Sequence, residues 1–417
     1  MTPLRDRFWF RLALIAVLAL TVRVGYIGVA KWSDEVEYSD ALYYSIQAQQ
    51  IAEGEAFQSR AHDRPAADHA PLTEISQAPT AWVFGRSVLA LRLVQAVYGT
   101  LAVVAIALLA RRVAGRDPVA LWAAFLAAVY PNLWAADGVI MAETLTVLLV
   151  AALLWAVYGF LDEPNGWRAL LVGALAGLAA LSRAELALVG VLAFVPVAVR
   201  VAQPWSRRLG YLALAGVAGV VVLAPWTAYN AGRFDEPVLI STNDGLTLIG
   251  ANCERQYDGP DPGLWDIACL PPGSFTEAQS QDQSVVNTEY RRLAVDYARA
   301  NKGDLPRVAA IRVARTWSLY DPASMIRYNE NEGREAPVGW AGFFAFWLLV
   351  PFAVAGAVLL RQRGRAIWPL LSTVVVVTVI SALFYGLLRF RAPAEVTLVV
   401  LAAVAIAELQ SRRTVSV

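Results

Sequence analysis

Long apolar stretches constrain the fold of this chain more than any other feature of its sequence. Of its 417 residues, 58% are hydrophobic. A helix of roughly 20 apolar residues crosses a bilayer core about 30 Å thick. We therefore predict an all-α polytopic membrane protein with about ten transmembrane helices. The apolar stretches lie near residues 9–30, 87–110, 118–135, 140–160, 168–182, 185–200, 209–228, 338–360, 366–387 and 393–409.

Arginines between these stretches predict the orientation of the chain in the cytoplasmic membrane. If the stretches cross the membrane alternately, the main arginine clusters fall on one side, and an excess of Lys and Arg marks cytoplasmic loops. Both termini are then cytoplasmic, and two large polar segments, residues 31–86 and 229–337, lie outside. The clusters lie at residues 5–7, 111–116, 207–208, 361–365 and 412–413.

The two outer segments divide the chain into three predicted parts. Residues 1–228 form an N-terminal transmembrane module with the first outer loop at 31–86, residues 229–337 an extracytoplasmic subdomain, and residues 338–417 the C-terminal transmembrane helices. Helical periodicity between 276 and 319 predicts amphipathic helices in the subdomain. Cys253 and Cys269 both lie there. In an oxidising compartment, two cysteines that close a short loop predict a disulfide.

The basic residues form short clusters and no continuous patch, so we expect membrane lipids and no nucleic acid as partners. Nucleotide sugars and ATP are absent outside the cytoplasmic membrane. An enzyme acting there draws its activated group from a lipid-linked donor. Such a transfer needs a base for the acceptor hydroxyl, cations for the departing phosphate and a groove for the lipid.

A dense acidic and aromatic segment, residues 33–44, follows the first apolar stretch. At about 100° per residue, Asp40 and Tyr44 fall on one face of a helix. This register suits a carboxylate held as a general base. The alternative is that these acids only begin a helix, because Asp and Glu favour the first helical turn.

This segment also resembles a known family. Asp40 is followed by Tyr44, Ala48 and Gly54, and this order is similar to the first-outer-loop signature of the GT-C superfamily of membrane glycosyltransferases, in particular the polyprenyl-phosphate-dependent protein O-mannosyltransferase and aminoarabinose-transferase group. Further similar pieces follow in the family's order. They lie at residues 70–72, 92–95, 130–131, 141–145, 181–183, 225–230 and 389–395.

The resemblance implies a GT-C bundle with juxtamembrane helices, and inverting transfer of a sugar from a polyprenyl phosphate to a hydroxyl of a lipid, glycan or protein. It makes Asp40 the base. Asp34, with Glu35 and Tyr38, fits a second form of the signature and is the alternative base. Glu143 is the second candidate catalytic carboxylate, since an ionised group near the end of an apolar span needs a cavity or a partner.

Arginines and two further side chains complete the predicted site. An Arg fork suits a phosphate because it offers several donors in one plane. Arg391 is the preferred phosphate contact and Arg389 the next. Arg183 and Arg315 are further candidates. The predicted substrate contacts are Tyr44 and His69.

Two alternatives concern metals and the class of protein. A divalent ion is one alternative, because four possible ligands lie close together in the sequence, His62, Asp63, Asp68 and His69. They lie in an Ala- and Pro-rich loop, which gives little reason to expect a preformed metal site, so we expect no cofactor. A transporter or flippase of lipid-linked saccharides is the alternative function. It would need charges near the membrane midplane and inverted halves with broken helices.

Overall fold

The structure is a computed structural model that describes residues 2–32, 39–59, 64–272 and 282–415. In its N-terminal part, one helix continues as a π-helical turn (Ile27–Lys31), and a short antiparallel hairpin pairs Gln58 with Pro65. These elements are α1 (Thr2–Tyr26), α2 (Ser39–Glu53), β1 (Gln58–Ser59), β2 (Arg64–Pro65), α3 (Leu72–Phe84) and α4 (Val88–Ala114).

A bent helix pair follows α4. The axis turns by 60° between Asp117–Val129 and Pro131–Gly138. Pro131 has no N–H to donate and pushes the residue before it away from helical geometry, and Tyr130 is indeed extended, with φ −74° and ψ 116°. The helices of this part are α5 (Asp117–Val129), α6 (Pro131–Trp134), α7 (Glu143–Asp162), α8 (Gly166–Ser182), α9 (Leu186–Ala198) and α10 (Trp205–Asn230).

Helices α8 and α10 pack through small residues. A Cβ built on Gly173 would lie 2.0 Å from the carbonyl oxygen of Ala215. Only glycine therefore permits this approach of the two backbones. Small residues serve the same purpose in many membrane helix pairs, where close van der Waals packing holds the helices together.

The predicted outer subdomain contains the helices α11 (Asp244–Ile249), α12 (Glu254–Asp258), α13 (Gln283–Ala300), α14 (Leu305–Thr316) and α15 (Pro322–Glu330). The disulfide between Cys253 and Cys269 is present, which confirms that prediction. Helices α13 and α14 confirm the helical periodicity between 276 and 319, except for residues 276–281, which lie outside the described residues.

The C-terminal part begins with α16 (Ala336–Gln362) and α17 (Trp368–Leu383). A 3-10 turn (Leu388–Arg391) then leads into α18 (Ala392–Val415). Helix α7 and the segment 388–412 are buried over 78% of their apolar windows, against 11% for α10. They therefore form the centre of the bundle, and Glu143 and Arg389 lie at the N-terminal ends of these two central segments.

All ten predicted apolar stretches coincide with helices, so the all-α membrane fold is confirmed. Among the described residues, six helices are long and apolar enough to cross a membrane, and the bent pair would make a seventh. Helices α8, α9 and α17 are apolar but shorter. The count of about ten crossings therefore stays a prediction.

Candidate active site

A cavity of about 430 Å³ lies where the N-terminal half of the chain meets its C-terminal segments. It is bounded by the start of α2, the loop before α3, the start of α7, the turn between α8 and α9, the start of α11, the end of α17 and the 3-10 turn before α18. Six predicted site residues line this cavity. They are Asp40, Tyr44, His69, Glu143, Arg183 and Arg389.

Asp40 occupies the first turn of α2, and Tyr44 follows one turn later, so both reach the cavity as the helical register predicts. Arg389 Nη1 donates to Asp40 Oδ2 at 2.7 Å, and His69 Nε2 lies 3.6 Å from Asp40 Oδ1. Burial alone would raise the pKa of Asp40. The charges of Arg389 and His69 outweigh it and hold that pKa well below its usual range. The Asp40 side chain keeps 31% of its surface exposed and thus remains open to the cavity.

Arg389 sits in the 3-10 turn and is surrounded by carboxylates. Besides Asp40, its Nε lies 3.3 Å from Glu332 Oε1 and 4.0 Å from Glu143 Oε1. Only 12% of the Arg389 side chain is exposed. Burial, partly offset by Arg389 and Arg334, raises the pKa of Glu332. The guanidinium therefore links three acidic side chains that come from three distant parts of the chain.

His69 is held between two aromatic rings. The ring centroids of Tyr43 and Tyr44 each lie 5.0 Å from that of the imidazole, and the side-chain amide of Asn243 lies 3.4 Å from Nδ1. Burial would lower the pKa of His69, but the neighbouring Asp40 carboxylate outweighs it, and the pKa is raised. The imidazole is thus fixed against Asp40 and favours the charged form.

Glu143 begins α7 and lies at the back of the cavity. Arg183, in the extended turn between α8 and α9, donates to Glu143 at 3.2 Å and to Glu185 at 2.7 Å. Its guanidinium also lies 5.0 Å from the ring centroid of Phe390. Glu143 and Arg183 are therefore both next to Arg389 and both already paired.

Arg391, the preferred phosphate contact, does not line the cavity, whereas Arg389 does. Its side chain is 2% exposed, donates to Glu395 at 2.6 Å and to Ser318 at 2.9 Å, and covers the ring of Phe346. In a 3-10 turn each residue rotates by about 120°, so side chains two positions apart leave the turn on different sides. Arg389 faces the cavity, and Arg391 faces the interior of the helix bundle.

Arg315 is also absent from the cavity. It is fully buried and donates to the carbonyl of Pro262 and to Ser324 Oγ, each at 2.6 Å. It joins α14 to the loop at Pro262 and to α15, which is a structural position. Asp34, the alternative base, lies outside the described residues.

Three cavity neighbours were missed at the sequence level. Glu332 lies beside Arg389, and Tyr385 and Asn243 line the cavity. Asn243 belongs to a loop whose turn residues predict only a turn. Glu332 lies in an acidic run, residues 330–335, that gives no register to single it out. No local signal identifies any of the three.

A metal site is not evident in the described part of the chain. No group of three or more His, Cys, Asp or Glu side chains there could hold an ion. His62 and Asp63, named in the metal alternative, lie outside the described residues. The absence of a cofactor stays a prediction.

Comparison with solved structures identifies the fold. An oligosaccharyltransferase of Archaeoglobus fulgidus superposes with a TM-score of 0.58 at 14% identity, and the match covers 98% of this chain and 52% of that one. ArnT from Cupriavidus metallidurans matches at 16% identity and a TM-score of 0.46, covering 96% and 78% of the two chains. The chain spans about half the length of the archaeal protein. The fold is that of the GT-C superfamily.

Part of the chain also matches a sequence model of a known protein family. Residues 68–229 match the family described as dolichyl-phosphate-mannose-protein mannosyltransferase. The resemblance to membrane glycosyltransferases of the GT-C type is confirmed by this match together with the fold. No curated protein matches the chain. The matched region includes His69, Glu143 and Arg183 and ends before Arg389.

Proposed function

We propose that this protein is an inverting glycosyltransferase that moves a sugar from a polyprenyl-phosphate donor to an acceptor hydroxyl. The observation that carries the proposal is the placement of Asp40 and Arg389 on one cavity, since a base and a phosphate-binding cation must act on the same substrate. The match of residues 68–229 to a dolichyl-phosphate-mannose family supports a lipid-linked donor. As the resemblance implies, the acceptor hydroxyl belongs to a lipid, a glycan or a protein.

The cavity has walls of two kinds that suit such a donor. The apolar side is formed by Leu188 of α9, Ile380 of α17 and Phe384 directly after α17. Hydroxyl and amide groups come from Ser241, Asn243 and Thr247. An apolar wall suits the lipid chain, because it removes hydrocarbon from water. Polar side chains suit the hydroxyls of a sugar or of an acceptor.

The proposed step is one displacement at the anomeric carbon. Asp40 takes the proton of the acceptor hydroxyl as its oxygen bonds to that carbon, and the bond from the carbon to the phosphate oxygen breaks. The electron pair leaves with the polyprenyl phosphate, whose charge Arg389 stabilises. His69, which packs against Tyr44, holds Asp40 in place, and Glu143 orients the arginines. We propose that no metal takes part, so EDTA should leave turnover unchanged.

We further propose that the cavity opens to the outer side of the cytoplasmic membrane. Helix α4 begins at Val88, near the cavity, and its other end carries Arg111 and Arg112. At that end further arginines pair with acids, as in Arg116 with Glu408 at 3.1 Å. The positive-inside bias supports a cytoplasmic position for this end and for both termini.

The transporter or flippase alternative is not favoured. Transport needs no general base, and the paired Asp40, Arg389 and Glu143 would then have no chemical role. Charged groups of a transporter are expected near the membrane midplane between inverted repeats. Here they gather where the loops meet one end of the bundle.

Purified protein incubated with a panel of polyprenyl-phosphate sugars tests the proposal, with mass spectrometry to detect released polyprenyl phosphate. We expect one donor to be consumed by the wild type and by Glu53→Gln, an exposed change on the same helix. Asp40→Asn should remove turnover and leave the thermal unfolding curve unchanged. If folded Asp40→Asn still consumes the donor, Asp40 is not the general base.

A further inference from the structure

In this structure the proposed base and the proposed phosphate-binding cation form an ion pair with each other. Arg389 Nη1 donates to Asp40 Oδ2 at 2.7 Å. A donor phosphate needs the N–H groups of Arg389, and the acceptor proton needs the Asp40 carboxylate. Both steps of the proposed reaction therefore require this ion pair to open.

Glu332 contacts a different edge of the same guanidinium. Its Oε1 lies 3.3 Å from Arg389 Nε, while Asp40 is bound through Nη1. Glu332 follows α15, is buried, and does not line the cavity, so it does not meet the substrate. Its other oxygen, Oε2, has Arg334 at 3.8 Å, which is beyond hydrogen-bond distance. Glu332 can therefore keep its contact with Arg389 after Asp40 has been released.

We infer that Glu332 is a positioning residue that retains Arg389 at the cavity wall when the donor phosphate draws the guanidinium away from Asp40, so that donor binding uncovers the base. This inference rests on the proposed function. The inference gives the reaction a fixed order: the donor binds first, and only then can the acceptor lose its proton to Asp40. A cavity without donor then keeps its base covered, which prevents Asp40 from acting on water or on an acceptor alone.

Electrostatics agree with this order. While Arg389 covers it, the pKa of Asp40 is held low and the carboxylate is a weak base. Once Arg389 moves to the phosphate, that attraction weakens and the pKa rises. The titratable groups around the pair are His69, Tyr44, Glu143, Glu332, Tyr328 and Tyr385. Arg183 and Arg334 balance Glu143 and Glu332 and do not touch Asp40.

The pH dependence of kcat and of kcat/KM for the donor tests the inference, because the first reports the donor complex and the second the free enzyme. In the wild type we expect the acid limb of kcat at higher pH than that of kcat/KM. In Glu332→Gln the competing charge is lost, Arg389 stays on Asp40, and the two acid limbs should coincide. We expect kcat to fall about tenfold, because the buried guanidinium loses the ion-pair partner that competes with Asp40 for it.

Three variants separate positioning from a structural role. Glu332→Asp keeps the charge and should restore part of the separation between the limbs. Glu330→Gln changes an exposed glutamate two positions away and should behave as wild type. Arg389→Lys keeps the positive charge but lacks the Nε edge that Glu332 contacts, so its limbs should coincide as in Glu332→Gln. This variant also serves if Glu332→Gln fails to fold.

Separate limbs in both Glu332→Gln and Arg389→Lys would overturn the inference, and so would coincident limbs in the wild type. Either result would leave the proposed transfer standing, because the wild type would still consume the donor. If no donor of the panel is consumed, the proposed function itself fails. The two failures are thus distinguished by turnover of the wild type alone.

Discussion

Asp40 Oδ2 and Arg389 Nη1 lie 2.7 Å apart, although 349 positions separate the two residues in the chain. One comes from the first turn of α2 and the other from the 3-10 turn before α18. Their contact joins the two ends of the molecule at one cavity. The proposed chemistry depends on this contact and on its opening.

Replacing each of the two arginines in the 3-10 turn should have a different main effect, on donor turnover for Arg389 and on stability for Arg391. In Arg389→Ala the donor phosphate loses its cation, so we expect kcat/KM for the donor to fall at least about a hundredfold per folded molecule. The buried Glu332 and Glu143 also lose a charged partner, so the protein should be less stable as well. In Arg391→Ala the buried Glu395 loses its partner at 2.6 Å, which costs about 3–5 kcal/mol of stability. Turnover per folded molecule should then remain near wild type.

Donor kinetics and thermal unfolding in detergent, measured on both variants, check this prediction. The opposite pattern, with stable but inactive Arg391→Ala, would return the phosphate contact to Arg391. The two changes remove the same side chain from one turn and thus control for each other.

Glu74 should make stability fall as pH rises. It is fully buried, its carboxylate oxygens have no hydrogen-bond partner among the described residues, and burial raises its pKa to about 8. Between the ordinary pKa near 4.5 and this value, the unfolded chain loses a proton that the folded protein keeps, so the free energy of unfolding decreases with pH. Over the window the loss is on the order of 5 kcal/mol.

In Glu74→Gln this loss is absent. The melting temperature of the variant relative to wild type should therefore rise steadily from pH 5 to pH 8.5. Glu53→Gln, an exposed change on α2, should show a constant difference. A constant difference for Glu74→Gln as well would mean that Glu74 ionises normally in the folded protein.

The disulfide should stabilise the segment between α11 and α13. Cys253 and Cys269 are 16 positions apart, and a loop of this length gains about 3 kcal/mol from its closure. Reductant should therefore lower the melting temperature of the wild type. The double variant Cys253→Ser, Cys269→Ser should melt at the lower temperature with or without reductant. A further decrease on adding reductant to that variant would point to another cause.

Packing of α8 against α10 should depend on one glycine. Gly173→Ala would place a methyl group 2.0 Å from the carbonyl oxygen of Ala215, so the helices must separate. We expect a loss of about 1–3 kcal/mol, as for other overpacked sites. Gly216→Ala, on α10, meets nothing within 4 Å and is the matched control. Equal melting temperatures of the two variants would contradict this close approach.

Sequence reasoning reached the helices and much of the site for physical reasons. Apolar length predicts a membrane helix directly, and a helical register of 100° per residue placed Asp40 and Tyr44 together. It ranked Arg391 before Arg389, because no sequence pattern shows that the 3-10 turn directs Arg389 to the cavity and Arg391 away from it. It missed Glu332 because only the packing of distant helices brings that residue to Arg389. The chain offers no local pattern for such a contact.

The cavity is built from segments between α2 and the turn before α18, and this has a consequence for biosynthesis. A ribosome that has made the first 380 residues has delivered the acid but not its cation. The growing chain therefore lacks one member of the proposed catalytic pair until the turn before α18 has been made. If the proposed function holds, a chain truncated before that turn should not consume a donor.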